Sequence, residues 1–395
     1  MDSLNRKKIK TSNENIKFQI LSWETFDEEV DSEFDLEYKV YVFGVTEQGN
    51  SISARVDGYT PYFYVKIQEN LQDSWNDYKT NEVKNYLKKK LFAFKNSLVK
   101  VSVVLKKDIG GFTNEKEFKF LKIITTNEKA FKKCRYILCP GNNRPKPVIP
   151  LITPQDLNFD IYEANIDPFI RLCHIKNLKL AGWCEISKYT SGEDLSRCQI
   201  DISCKWNHLN PLDKSDISKM RIASYDIECI SERAKRSQKN IFPDYSLKTD
   251  IITQIGTTFH TYGTNETIEH MCTINSEVDK KVDPVPGVII EVFDTEKELL
   301  QGWINLIRKT DPDFITGYNI NGFDWNYIHE RCRMQNMELS LAYLSRLNDH
   351  PAYFKEEKLV SNAYGENNFK YMYCYGLLNS DLHTIIKREQ KLESY

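Results

Sequence analysis

Between Ile222 and Cys332 the apolar residues of this 395-residue chain change period repeatedly, and that alternation restricts the fold more than any other feature. Ile222-Ala-Ser-Tyr-Asp-Ile-Glu-Cys-Ile reads as a buried strand, and Ile251–Phe259, Glu266–Ile274 and Val288–Phe293 read as further strands. Thr295-Glu-Lys-Glu has the form of a capping box, in which the threonine hydroxyl takes a free N–H of the first turn and the last glutamate reaches back. The helix it opens carries Leu299, Leu300, Trp303, Ile304 and Ile307 on one side. Phe314–Asn319 is a strand and turn, and the helix from Asp324 has the stripe Trp325, Ile328 and Cys332. Strands and amphipathic helices in alternation bury their apolar faces on one another, which gives an α/β domain around a mixed sheet.

The first half is richer in strands. Tyr38–Val45, the turn Glu47-Gln-Gly-Asn and Ile52–Val56 form a hairpin, followed by the aromatic strand Gly58-Tyr-Thr-Pro-Tyr-Phe-Tyr-Val. Residues 78–94 form a helix with Val83, Leu87, Leu91 and Phe94 inward. Its Lys84, Lys88 and Lys95 are either a solvated face or a stripe that meets phosphates. Leu98–Leu105 and Phe118–Thr125 are strands around the loop Lys107-Asp-Ile-Gly-Gly-Phe-Thr, and the five prolines of 140–154 mark a surface loop. Ile161–Cys173 is helical in part, and a strand begins at Gly182-Trp-Cys-Glu-Ile. Turn chemistry over residues 208–218 sets a boundary, giving a polar, frayed tail (1–17), a β-rich N-terminal domain (18–212) and the α/β domain (213–395).

Several classes of protein are disfavoured. No run of about 18 apolar residues is present to span a membrane, and the start has no apolar signal region, so a soluble intracellular protein is expected. The ten cysteines are scattered without a C-x-x-C pair, and Cys198, Cys204 and His208 are spaced too loosely for zinc. The balance of 54 basic and 56 acidic side chains neither predicts nor excludes nucleic-acid binding, which depends on clustering.

Two carboxylates stand out. Asp226 and Glu228 lie two apart on a strand and so project from the same face. Among Ile222, Ala223, Tyr225 and Ile227 such a pair is costly unless it holds a cation, and Mg²⁺ prefers carboxylate oxygens. Two such ions roughly 3.5–4 Å apart can activate water and stabilise a leaving oxygen in phosphodiester hydrolysis. The pair could also simply meet water at a strand end, and Asp324, at a helix start, could be a capping carboxylate.

The two segments together resemble the exonuclease motifs of family B DNA polymerases. Ser224-Tyr-Asp-Ile-Glu-Cys is similar to the first, and Asp311-Pro-Asp-Phe-Ile-Thr-Gly-Tyr-Asn-Ile-Asn-Gly-Phe-Asp to the second, about a hundred residues on. Gly44-Val-Thr-Glu-Gln-Gly, Gly58-Tyr-Thr-Pro-Tyr-Phe-Tyr-Val, Gly111-Phe-Thr-Asn, Tyr162-Glu-Ala-Asn-Ile and Gly182-Trp-Cys-Glu-Ile resemble the N-terminal region of eukaryotic delta-type enzymes and large-DNA-virus relatives. The resemblance implies an α+β fold: a β-rich N-terminal part, OB-like with a small α/β part, then a ribonuclease H-like exonuclease domain with a mixed sheet. It implies that Asp226, Glu228 and Asp324 bind two Mg²⁺ or Mn²⁺ ions and are catalytic.

By the same resemblance Asn319 and Phe323 lie near the 3′ end of the strand that is cut. Phe323 could stack on an unpaired base or merely pack the helix start, and Asn319 could instead hold its own turn. The implied partners are primer–template DNA with its single-stranded 3′ end, deoxynucleotides for the parent polymerase, and a sliding clamp reached through other regions. The implied setting is DNA replication in a nucleus or a viral replication compartment.

The sequence also departs from that family. The Tyr and Asp of its third exonuclease motif and the palm signatures are absent, so a fragment, a split gene or a truncated reading frame is expected. Asp381 is assigned to starting a helix and not to the missing role. The alternative reading is a nucleic-acid-binding module without turnover.

Overall fold

The computed structural model of the chain describes residues 5–11, 14–30, 35–110, 113–141, 144–149, 152, 159–237, 241–274, 284–361 and 365–390. Gly111 and Phe112 of the expected loop, part of the proline segment and the final five residues lie outside them.

β1 (Ile16–Glu29), β2 (Leu36–Thr46) and β3 (Ser51–Asp57) form an antiparallel meander, with Val40 opposite Val56 across the expected hairpin. The chain then leaves this sheet to build a second one. β4 (Tyr62–Lys66), α1 (Asp77–Leu91), β5 (Leu98–Lys107), β6 (Glu117–Thr125), α2 (Glu128–Leu138) and β7 (Ile161–Tyr162) make a four-stranded antiparallel sheet in the order β5-β6-β4-β7. Val83, Leu87 and Leu91 of α1 and Phe131, Cys134 and Leu138 of α2 cover one face, over Phe63, Val65, Leu121 and Ile123. Asn76 and Asn127 cap the two helices, each accepting an N–H of the first turn.

α3 (Pro168–Lys176) returns the chain to the first sheet, which β8 (Trp183–Ile186), β9 (Thr190–Ser191), β10 (Ile200–Lys205) and β11 (Leu209–Leu212) complete in the order β11-β8-β1-β2-β3-β10-β9. Its core gathers Phe18, Ile20, Val40, Val42, Ile52, Ala54, Leu172 and Ile202.

The third sheet begins after the expected boundary. β12 (Arg221–Cys229), α4 (Glu232–Ser237), β13 (Ile252–Thr261), β14 (Thr267–Ile274), β15 (Val288–Phe293), α5 (Glu296–Thr310), β16 (Phe314–Gly317), α6 (Asp324–Met334), α7 (Glu338–Ala342), the hairpin β17 (Tyr353–Ser361) and β18 (Gly365–Tyr373), β19 (Leu378–Asp381) and α8 (Leu382–Glu389) follow in order. Six of these strands form the mixed sheet β15-β14-β13-β12-β16-β19, with β12 antiparallel to β13 and parallel to β16. The Thr295–Glu298 capping box is present, and the stripe of α5 packs on the sheet with Trp303 Nε1 donating to Thr257 Oγ1 at 3.1 Å.

The expectation of a frayed tail over residues 1–17 fails for its described part. Arg6 donates to Asp313 through both terminal nitrogens at 2.7 Å and to the carbonyl of Asp311, while Ile9 N bonds the carbonyl of Gln199 and β1 already starts at Ile16. A buried ion network explains this: Arg346, itself fully buried, also donates to Asp311 and Asp313, and the tail supplies the second guanidinium. Ser51 Oγ donates to Asp311 at 2.9 Å, so the network also ties β3 of the first sheet to the third. Among the described residues no helix is long and apolar enough to cross a membrane.

Candidate active site

Along β12 the side chains alternate strictly. Ala223, Tyr225 and Ile227 are buried against α5 and α6, whereas Asp226 and Glu228 are exposed on the other face. Tyr225 sits between Trp303 and Trp325, with ring centroids 5.1 and 5.3 Å away, and this aromatic wedge fixes which way the strand faces. Asp226 stands opposite Gly256 of β13, where a Cβ would meet nothing within 4 Å. The missing side chain leaves the floor beside Asp226 open. A cleft of about 590 Å³ follows, lined by Ser224, Asp226, Thr258, Met271, Gly317 and Tyr318 among others.

Asp324 is delivered from the far side of β16. Gly317 ends that strand where a Cβ would lie 2.4 Å from the carbonyl oxygen of Tyr225, so only glycine permits the close approach to β12. The chain then turns through Asn319, whose φ of 60° is left-handed, and Asn319 O accepts the N–H groups of Gly322 and Phe323 at 3.0 Å each. Asp381 clamps the turn from outside. Its oxygens accept the N–H of Asn319 at 2.8 Å, of Asn321 at 2.9 Å and of His383 at 2.9 Å. Asp381 is thus the cap that starts α8, as its sequence context suggested, and it also holds the loop that leads to Asp324.

Asp324 is the first residue of α6 and is almost fully buried. It is not the helix cap, since Phe323 takes that position without a side-chain bond. Its Oδ1 instead accepts the N–H of Ile227 at 3.2 Å, between the two carboxylate positions of β12. Burial, and then the like charge and hydrogen-bonding contact of Asp226, push its carboxyl up to about 7. A buried acid that meets a like charge is short of a cation. Glu228 shares the exposed face with Asp226, but among the described residues no three His, Cys, Asp or Glu side chains come together as a metal cage.

Phe323 is half-buried, packing on Tyr327 at 5.3 Å and on Phe242 at 5.2 Å between centroids. It therefore serves the core and presents an edge outward at once. Asn319 is exposed, and its side-chain oxygen lies against Gly322, where a Cβ would be 2.3 Å away. Sequence reasoning missed Phe242, which is 72% exposed beside Phe323, and Tyr318, which is 47% exposed on the cleft rim. Neither belongs to a periodic pattern, and both are placed by loops. Cys198 and Cys204 are buried, their thiols pushed up by burial to about 11 and about 12, and they pack as small apolar groups.

Residues 159–395 match the family model described as DNA polymerase family B, exonuclease domain. The DNA polymerase of Acanthamoeba polyphaga mimivirus is 34% identical over 81% of this chain and 18% of its own length. That of Pyramimonas orientalis virus is 28% identical over 96% of this chain and 41% of its own, and the DNA polymerase delta catalytic subunit of Drosophila melanogaster is 28% identical over 90% and 32%. The solved family B DNA polymerase of the hyperthermophilic archaeon Pyrobaculum calidifontis superposes with a TM-score of 0.58 at 19% identity, covering 96% of this chain and 38% of that one, a likeness of fold. The chain thus spans less than half the length of these relatives.

Proposed function

Because this chain belongs to the family B DNA polymerases, whose exonuclease-domain model it matches over residues 159–395, we propose that it carries the proofreading part of a replicative DNA-directed DNA polymerase. In this reading it removes unpaired 3′-terminal nucleotides from DNA. The observation that supports it is the meeting of Asp324 with Asp226: a buried carboxyl raised to about 7 by burial and a like charge suits a site that divalent cations complete.

Asp226, Glu228 and Asp324 fit Mg²⁺ or Mn²⁺ by their chemistry, since all three offer hard carboxylate oxygens and two are open to solvent. Bound cations would neutralise phosphate charge and lower the pKa of a water. The chain's own residues do the rest. Asp324, held by the N–H of Ile227, fixes where a ligand oxygen points. Phe323 and Phe242 form an aromatic edge on which an unpaired terminal base could rest, and Asn319 stands exposed on the same loop. An unpaired terminus leaves its stack at less cost than a paired one, which favours mismatched ends. The expected partners are primer–template DNA and, for the longer protein, deoxynucleotides and a clamp, in a nuclear or viral replication setting.

The test is 3′-end shortening of a labelled single-stranded oligonucleotide in Mg²⁺ or Mn²⁺. Stepwise shortening that Asp226→Ala and Asp324→Asn each abolish supports the proposal. Shortening indifferent to both variants sinks it, and tight binding with no shortening favours a binding module without turnover.

A further inference from the structure

Phe242, the exposed ring beside Phe323, is carried by a segment without regular structure between α4 and β13. Such a segment holds a side chain in one place only where other groups fix its backbone, and two buried ionic groups do so here. Asp250, fully buried, is the first. Its Oδ2 accepts the N–H of Asp244 and a terminal N–H of Arg233 at 3.0 Å each. The same Arg233 nitrogen donates to the carbonyl of Phe242 at 3.3 Å, so one guanidinium ties both ends of the segment together. Arg331, also buried, is the second. It pairs with Glu296 through Nε at 2.8 Å and a terminal nitrogen at 2.6 Å. Its other terminal nitrogen donates to the carbonyls of Tyr245 at 3.1 Å and Leu247 at 2.8 Å. Glu296 in turn accepts the N–H of Ile252 at 2.9 Å, where β13 begins.

Both groups lead to α6. Tyr327 O–H donates to the carbonyl of Asp250 at 2.9 Å, and its ring meets Phe323 at 5.3 Å and Tyr245 at 5.9 Å. Asp324, Tyr327 and Arg331 stand three and four residues apart, and therefore on one face of the helix. The helix that presents the Asp324 carboxyl thus also fixes the segment that presents Phe242. A buried ion pair adds little net stability over apolar residues of the same volume. What Arg331 and Glu296 supply is direction, because their bonds to three backbone groups admit one placement of the segment.

Resting on the proofreading reading above, we propose that Arg233, Asp250 and Arg331 are positioning residues: they hold the Phe242 ring beside Phe323, and that placement selects unpaired 3′ ends. A terminal base that leaves its stack gains most from a ring already in place, since a ring that must first be ordered returns less of the cost. A paired end keeps its own stack and gains little from the ring. The Arg233 side chain is 44% exposed and sits on a six-residue helix, so its loss loosens the Phe242 end of the segment without opening the core.

The test is 3′-end shortening by the full chain in Mg²⁺, on an oligonucleotide with an unpaired end and on a duplex with a paired one. Arg233→Ala is expected to raise KM for the unpaired end about fivefold or more with kcat held within about twofold, because the carboxylates are untouched. Arg233→Lys cannot reach both acceptors as a guanidinium does and should recover only part of the loss. In a Phe242→Ala background, Arg233→Ala should add less than about twofold, as expected of residues that act through one ring. Asp250→Asn is a second variant with the same expected split, so a fold lost in one, seen by melting, leaves the other to decide.

In EDTA, where nothing is cut, the fluorescence of 2-aminopurine at an unpaired 3′ end reads the ring contact directly. Phe242→Ala and Arg233→Ala should each lose most of the change seen with the parent. A parent that gives this signal without shortening DNA defeats the proofreading reading alone. Effects that multiply in the double variant, a fall in kcat at unchanged KM, or a 2-aminopurine signal absent from the parent or indifferent to Arg233 overturn the positioning role.

Discussion

Asp324 Oδ1 accepts the N–H of Ile227 at 3.2 Å, so the first residue of α6 is tied to the strand that carries Asp226 and Glu228. The bond reaches 97 residues back along the chain and sets the carboxyl against Asp226. Helix and strand meet at the very point where two acids repel one another. The sheet tolerates this because Tyr225, Trp303 and Trp325 clamp the other face.

Replacing Asp324 with Asn removes the like charge and keeps an acceptor for Ile227. The metal-free variant should gain about 1 kcal/mol of stability at pH 8, since a buried charge without a partner is lost. It should also bind Mn²⁺ at least tenfold more weakly. Urea denaturation and Mn²⁺ titration read the two effects, and a variant that is less stable yet binds Mn²⁺ normally contradicts the role given to Asp324.

Glu24 provides a pH-dependent contact between the first sheet and the hairpin. It accepts Tyr373 O–H at 2.9 Å, and burial pushes its carboxyl up to about 7. The folded state therefore holds a proton that the unfolded chain releases near pH 4.3. Stability linked to this group is full below that value, falls as pH rises towards about 7 and then levels. Glu24→Gln should abolish the slope, making the variant more stable than the parent by about 1–2 kcal/mol at pH 8, after allowance for partial exposure, and no different at pH 4. Melting temperatures across that range check it; parallel curves count against it.

The Arg6–Arg346 pair over Asp311 and Asp313 makes the N-terminal tail structural. Burial raises Asp313, but Arg6 and Arg346 more than reverse this and hold its carboxyl below the usual carboxylate range. Arg346→Met leaves two buried acids short of a cation and should cost about 3–5 kcal/mol. Arg6→Ala, though it changes a residue in a polar tail, should cost about 1–3 kcal/mol, because Asp313 keeps Arg346. Equal stability of Arg6→Ala and the parent would show the tail to be passive.

Much of the third sheet was legible because its signals are local. The Thr295–Glu298 box and the stripes of α5 and α6 depend on residues three and four apart, and β12 announced itself by a short apolar run of buried-strand form. In the candidate site, period-two geometry foretold the shared face of Asp226 and Glu228, and the motif resemblance pointed to Asp324, which the fold brings beside Asp226. What escaped was set by distant partners. Arg6 looked like tail because its counterparts lie more than 300 residues away. The insertion of the four-stranded sheet between β3 and α3 is a fact of pairing, since β3 finds its parallel neighbour β10 only after the excursion. Phe242 joined the site through a loop without any period.

Asp381 offers the sharpest separation of scaffold from chemistry. Its three accepted N–H bonds, from Asn319, Asn321 and His383, hold the loop whose next turn presents Phe323 and Asp324. It is buried, pairs through its own backbone with Gly317, and among the described residues its carboxylate is spent on those three N–H groups. Asp381→Ala leaves three donors unsatisfied and should cost about 2–4 kcal/mol, while Asp381→Asn keeps one acceptor oxygen and should cost about half. If Asp381 positions and does not bind cations, Mn²⁺ affinity in Asp381→Asn should fall only a few-fold, while 3′-end shortening falls further because Asp324 is less firmly placed. Loss of Mn²⁺ binding as complete as in Asp324→Asn would instead make Asp381 a ligand, and the loop would have to be redrawn around it.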